Sequence, residues 1–221
     1  MGIFDIIWQY KQAFWQGIKV TIKLASIVWS IGLVAGIILG VLSDRYRRTV
    51  GYSVFFISFL LSGIPILVIL YWAHYPLQVL LNKVIDPFFT ACAVLALVNT
   101  FAVTDLVRNI MANFPEQYAV AARVCGLKSR TIIWNIKMPI VLRQLIPGLL
   151  TSQVAILQAT LFASLISVEE IFRVSQQINA SVYKPVQIYT ALALFFLLIC
   201  LPLNGLALWL KAKFTRDLSE R

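Results

Sequence analysis

Residues 121–139 read AARVCGLKSRTIIWNIKMP, and how they are read decides the organisation of the whole chain. Arg123, Lys128, Arg130 and Lys137 fall within a few helical turns, in a sequence that is 60% hydrophobic. The segment is too charged to cross a bilayer, where each ionised side chain is costly. It is also too apolar for an idle linker, because Ile132, Ile133, Trp134 and Ile136 crowd its second half. Local signals predict two short helices. Pro115 opens the first, with Glu116 in its first turn near the positive end of the dipole. Gly126 stops that helix in a left-handed conformation, and Ser129 caps the second. Pro139 predicts that the second helix ends near Met138. A buried contact with the body of the protein, or with another subunit, accounts for its apolar side chains.

Outward from this element the sequence becomes lipid-like. Only 13% of residues are charged, against about 25% in soluble domains. Mean hydropathy is +0.85. The charge-free runs are Leu24–Leu42, Gly51–Tyr75, Phe88–Thr104, Leu145–Val168 and Pro185–Leu210. Each has the roughly 17–25 residues that cross about 30 Å of hydrocarbon as a helix. The fold class expected is therefore an all-α integral membrane protein of five spans. It forms a single domain over 1–221, with a five-span body over 24–210 that contains the two-helix element 115–139. Asn99 and Asp105 weaken the third run. Residues Ile3–Ile18 mix Ile, Phe, Trp and Tyr with Asp5 and Lys11, which predicts an amphipathic helix on the outer membrane surface within a segment 1–23. The first residues lack a compact apolar core followed by a small-residue cleavage site, so no cleavable signal peptide is expected.

Lysine and arginine placement orients the chain. Arg45, Arg47, Arg48, Arg108, the 121–143 region and the C-terminal Lys211 to Arg221 hold most of the 19 basic residues on one face. Lys11, Lys19, Lys23, Lys83, Arg173 and Lys184 lie on the other. The positive-inside rule puts the N-terminus outside and the C-terminus, with 115–139, in the cytoplasm. This also accounts for the net charge of +10 without nucleic acid. Ala122, Gly126 and Ile132 do have the spacing of a helix-turn-helix. Both ends of the segment are tied to the bilayer, however, and no third supporting helix is available.

Several smaller features belong to the spans. Gly32, Gly36 and Gly40 line one face of the first span and let a neighbouring helix approach closely. Ser62–Pro65, SGIP, combines Gly63 and Pro65 at mid-membrane depth and predicts a kink that lines either protein or a watery pathway. Cys92 and Cys200 read as small core residues, and the three cysteines have no metal-ligand spacing. His74 stands alone without a second ligand nearby, so no metal site is expected and no Ser–His–Asp or Cys–His set can be assembled. Glu169 and Glu170 read either as a solvated outer loop anchored to Arg173 or as part of the pathway. No glycine is followed by lysine, so the chain lacks the P-loop that would hold a triphosphate.

The stretch VAARVCGLKSRTIIWNIKMP resembles the EAA motif of bacterial ABC importer permeases, E-A-A-x3-G-x9-I-x-L-P. Ala121, Ala122, Gly126, Ile136 and Pro139 match at the right spacing, Met138 replaces Leu, and Val120 replaces Glu. WQGIKVTIKLASIVWSIGLVAGIILGVL, SGIPILVILYW and YTALALFFLLICLPLNGLALWL are similar to spans of the polar amino-acid branch of that family. The resemblance implies a permease subunit of an ATP-driven importer in the bacterial inner membrane. Glu116, Ala121, Ala122, Gly126, Leu127, Lys128, Ile136 and Pro139 would couple it to two cytoplasmic ATPase subunits, which carry the ATP and Mg. A second permease subunit, identical or related, an extracytoplasmic solute-binding protein and membrane lipid complete the implied partners. Gly63, Pro65, Asp105, Gln158, Ser164 and Glu170 are the candidate substrate-pathway residues. SGIP stands where the family commonly has R-G-T-P, and LQATLFASL where it has a charged pair, at Gln158 and Ala159. These losses imply either a subunit that lacks part of the internal ligand site and works beside a non-identical partner that keeps it, or a site whose residues vary with the substrate. The competing class is an ion-gradient-driven transporter or channel, for which Asp105 would be the relay candidate.

Overall fold

The computed structural model describes residues 2–219; Arg221, counted above on the basic face, lies outside them. Helix α1 (Ile3–Gln9) is tied at its start by a 2.8 Å bond from the Gly2 N–H to Asp5 Oδ2. After a turn at Tyr10, α2 runs unbroken from Lys11 to Arg45, 35 residues. The amphipathic surface helix expected over 3–18 is thus replaced by a helix of about two turns and an extended first span. Lys11, Lys19 and Lys23 bar those turns from hydrocarbon, but nothing in them breaks a helix. At 1.5 Å per residue α2 is about 52 Å long and projects beyond the bilayer. There Lys11 and Lys19 sit over the Trp8 and Trp15 rings at 4.3 Å and 5.7 Å.

A π-turn (Arg47–Gly51) leads into α3 (Tyr52–Gly63). The expected kink at SGIP is much sharper than a kink, because the helical halves on either side meet at 94°. Pro65 drives Ile64 out of the helical region, to φ −108 and ψ 126, and supplies no N–H of its own. Beyond the break come α4 (Ile66–His74) and α5 (Pro76–Leu81). Gln78 Nε2 lies 2.9 Å from His74 Nδ1, and Gln78 Oε1 accepts from the Ile85 N–H at 2.9 Å. His74 therefore closes the α4–α5 corner.

Helix α6 (Pro87–Ala112), capped by Asp86 accepting from the Phe88 N–H, is the central strut. Of its most apolar stretch 67% is buried by other helices, against 17% for α11 (Pro185–Ser219), which lies at the periphery. The glycine stripe of α2 faces α6. A Cβ at Gly36 or Gly40 would come within 2.6 Å of Val103 or Val107, and one at Gly32 would collide with Asn99. With no hydrophobic drive between helices in lipid, this close approach and the polar contacts below hold α2 to α6.

After α7 (Glu116–Val124), the chain re-enters helix at α8 (Ser129–Ile132). The expected stop near Met138 does not occur. A π-turn (Ile133–Lys137) joins α8 directly to α9 (Met138–Ala159), which includes Pro139 in its first turn. A π-turn shifts the hydrogen-bond register by one residue, so the missing N–H of Pro139 is absorbed rather than helix-breaking. Ser129 is the first residue of α8 and makes no capping bond; Lys128 holds the cap position.

Helix α9 tightens into a 3₁₀ segment (Thr160–Ile166) that ends at left-handed Ser167, φ 70. A short amphipathic α10 (Ile171–Val182) follows. Ile6, Phe14, Ile171, Val174 and Ile188 form a cluster joining α1, α2, α10 and α11 at one end of the bundle. Among the described residues four helical stretches are long and apolar enough to span a membrane, and the bent α3–α4 pair makes a fifth if counted as one span.

Candidate functional site

Residues 115–139 form a knob at the basic end of the bundle. Gly126 has φ +78, and a Schellman pattern closes α7: Leu127 N–H donates to Ala122 O at 3.1 Å and Gly126 N–H to Arg123 O at 2.9 Å. A Cβ at Gly126 would meet nothing within 4 Å, so the backbone angle alone demands glycine there. Ala122, Ile132 and Phe114 are buried and form the inside of the knob. The tip is bare: Val124 is 83% exposed and Leu127 43%, and Cys125, Gly126, Lys128 and Ala121 are also exposed. Ile136 is half-buried, whereas Ile133 and Trp134 face outward. Of the apolar side chains expected to be covered, the protein's own body covers Ile132 and part of Ile136.

The knob is moored to the end of α2. Lys137 Nζ lies 3.9 Å from Asp44 Oδ2 and 5.7 Å over the Phe114 ring. Asp44 also accepts from Arg47 at 2.7 Å, and Glu116 attracts Arg47 electrostatically. The Asp44–Lys137 pair joins the first span to the π-turn beneath α9 and so ties the knob to two spans at once. Nothing local in the sequence marks Asp44. The one usable signal is an acidic residue inside a run of Arg45, Arg47 and Arg48.

The candidate pathway residues do not gather at one point. Gly63 and Pro65 are exposed at the bend of the broken span. Asp105 accepts a hydrogen bond from Ser58 Oγ on α3 and pairs with Arg108 at 3.3 Å. It therefore clamps α3 to α6. Ser164 is buried, its hydroxyl donating to Leu161 O at 2.7 Å. Glu170 is fully buried, which corrects the picture of a solvated loop anchored to the Arg173 side chain. Its carboxylate caps α10, accepting from the Phe172 and Arg173 backbone N–H groups at 2.9 Å and 2.7 Å. Burial pushes its pKa up to about 7, against the opposing pull of those two N–H groups. Glu169 stays exposed and bonds to Gln177 instead.

Of the six, Gln158 alone faces an open, mainly apolar groove of about 520 Å³ between α9 and α11, where Asn204 is the other polar side chain. A second groove of about 780 Å³, lined by Arg143, Gln144, Thr151, Ser152 and Lys211, opens between α6, α9 and α11, and none of the six candidates lines it.

The structure adds a polar clasp that the sequence reading passed over. Asn99, fully buried, donates to Val28 O at 3.1 Å and to Gln153 Oε1 at 3.0 Å, and accepts from Gln153 Nε2 at 3.1 Å. Three helices, α2, α6 and α9, are locked by one reciprocal amide pair, and Gly32 leaves the room that Asn99 occupies. The available signal was an uncompensated amide in each of two apolar runs, which in hydrocarbon must find each other or the backbone.

Residues 32–216 match the family model described as the binding-protein-dependent transport system inner membrane component. The chain belongs to that family. Among its relatives, this inner membrane component is 27% identical to the octopine transport system permease protein OccM of Rhizobium meliloti, over 86% of this chain and 81% of the relative. It is 28% identical to the glutamine transport system permease protein GlnP of Escherichia coli K12, over 91% of this chain and 92% of that one. To the histidine/lysine/arginine/ornithine permease protein HisQ of Salmonella typhimurium it is 23% identical, over 95% and 96%. Its fold is that of an amino acid ABC transporter crystallised with histidines, with a TM-score of 0.85 at 17% identity over 96% of this chain and 99% of that one. The MetNI methionine ABC transporter in an inward-facing form follows, with a TM-score of 0.68 at 16% identity over 93% and 98%. The all-helical expectation, with four to five spans, and the inner-membrane setting thus agree with the architecture and the family, and the ion-gradient alternative is not favoured.

Proposed function

We propose that this inner membrane component carries polar amino acids, or closely related solutes such as opines, into the cytoplasm by alternating access. In this reading the N-terminus is outside and the C-terminus and the 115–139 element are cytoplasmic. The observation that carries it is the bare, left-handed Gly126 tip, moored through Lys137 and Asp44 to the first span. The tip, with Ala121, Leu127 and Lys128, seats in a partner ATPase subunit, and the buried Ala122 packs the knob beneath it. Glu116, Ile136 and Pro139 support it from behind. Nucleotide closure on the ATPase pushes the tip, and the Asp44–Lys137 tie with the Asn99–Gln153 clasp moves α2, α6 and α9 as one body. ATP and Mg stay on the two ATPase subunits, and a soluble binding protein delivers solute from outside.

The names of OccM, GlnP and HisQ support the solute class. Gln158 and Asn204, polar on an otherwise apolar outer face, suit a surface that meets a second permease subunit across the pathway. Because Gln158 and Ala159 replace a charged pair, that second subunit is a non-identical chain holding the charged contacts to solute. A complex in which two copies of this chain enclose bound amino acid would overturn that pairing.

Cys125 provides the test, because it is exposed at the tip while Cys92 and Cys200 are buried. A bifunctional maleimide should join Cys125 to the copurifying ATPase in the intact complex. Labelling of Cys125 by an impermeant reagent added from outside, or a complex in which it never crosslinks, refutes the coupling assignment.

A further inference from the structure

A second cluster of charge at the basic end lies beside the mooring of the knob and shares Asp44 and Arg47 with it. Between the Arg47–Gly51 π-turn, α3 and the last turns of α6 lies a cleft of about 450 Å³, lined by Ser43, Arg47, Arg48, Tyr52, Phe55 and Arg108. Three guanidinium groups face one lining carboxylate, Asp44, which Arg47 already engages at 2.7 Å. Arg108 is held by Asp105 at 3.3 Å and lies 5.6 Å over the Phe55 ring. Arg48 has no acidic partner among the described residues.

Ser43 supplies the independent observation. It is 2% exposed, and its hydroxyl has no hydrogen-bond partner among the described residues. A helical serine ordinarily satisfies itself on the carbonyl one turn back, as Ser30 does on Ser26 O at 2.8 Å. An orphaned buried hydroxyl beside three arginines is a donor set lacking its acceptor.

We propose that this cleft binds the phosphate headgroup of an anionic phospholipid. The guanidinium fork matches phosphate oxygens bidentately, and the Ser43 hydroxyl adds a neutral donor. Basic pockets between transmembrane helices next to the membrane surface take such headgroups. Lipid is preferred over a free anion because the site continues into an apolar track. Phe55, Phe56 and Phe59 on α3 are 56%, 61% and 64% exposed and offer a bed for acyl chains that a soluble phosphate would leave unused. A lipid seated there bridges α2, α3 and α6 beside Asp44, and so stiffens the mooring of the knob. That consequence rests on the functional reading above; the lipid site itself does not.

Native mass spectrometry of the detergent-solubilised transporter complex tests it, with phosphatidylglycerol titrated against phosphatidylcholine. The unaltered complex should retain phosphatidylglycerol about tenfold more strongly, and Arg48→Gln or Ser43→Ala should each lose most of that preference, with Arg48→Lys intermediate. Equal retention of the two lipids, or full retention by both Arg48→Gln and Ser43→Ala in complexes that still copurify with their partners, overturns the proposal. Displacement of phosphatidylglycerol by millimolar inorganic phosphate would reveal a free-anion site and also overturn it. The Cys125 crosslink reads out separately, so a failed crosslink with lipid retained removes the coupling reading and leaves the lipid site standing.

Discussion

Replacing Gly126 isolates the backbone requirement of the knob from every other contact. Its φ of +78 lies in the left-handed region, and an added Cβ would touch nothing within 4 Å. Any penalty for Gly126→Ala is therefore conformational, about 1–2 kcal/mol. Gly126→Val adds β-branching and should exceed it. Asn tolerates the left-handed region, so Gly126→Asn should stay close to the parent protein. A cost of 1–2 kcal/mol alters a conformational equilibrium about 5- to 30-fold. It falls on the two bonds that define the tip, Leu127 N–H to Ala122 O and Gly126 N–H to Arg123 O. The complex in nanodiscs, assayed for ATP hydrolysis stimulated by loaded binding protein, should weaken in the order Asn, Ala, Val, with overall transmembrane stability unchanged. Undiminished coupling in Gly126→Val, or Asn performing worse than Val, would show that the left-handed turn is not what the ATPase grips.

Other outcomes follow from the same contacts. Asn99→Leu or Gln153→Leu alone leaves its partner amide unsatisfied in the bundle and should lower stability by about 1–2 kcal/mol. The double variant should cost less than the sum of the two, and additive shifts in the melting temperature of the detergent-solubilised chain would show that the clasp is not a unit. Asp44→Asn removes the Lys137 tie and should reduce transport per ATP hydrolysed while ATPase still copurifies; unchanged stoichiometry argues against the mooring. Glu170 has its pKa raised by burial from 4.5 to about 7, so the folded state holds a proton that the unfolded state releases between those values. Its contribution to stability is present below about 4.5 and is lost as pH rises through about 7. Melting curves should show this loss in the parent and not in Glu170→Gln, which keeps an oxygen for the α10 N–H groups.

The sequence by itself determined what depends on local chemistry and on the bilayer. Uncharged runs of sufficient length read as membrane-crossing helices, and Gly126 after a short amphipathic helix turns left-handed. Those requirements hold whatever the neighbours are. Only the tertiary structure decided where helices end when charge and proline mislead. Charges at Lys19 and Lys23 mark the limit of hydrocarbon, yet α2 continues through them because a helix satisfies its own backbone in water as well as in lipid. Pro139 reads as a stop and instead sits in the first turn of α9 just after a π-turn, where the one-residue register shift removes the bond it cannot make. Tertiary packing also chose the partners of Asn99, Asp44 and Glu170. A buried polar atom must be paired, but which of many distant residues pairs with it depends on how α2, α6, α9 and α10 come together, and that is a property of the assembled bundle.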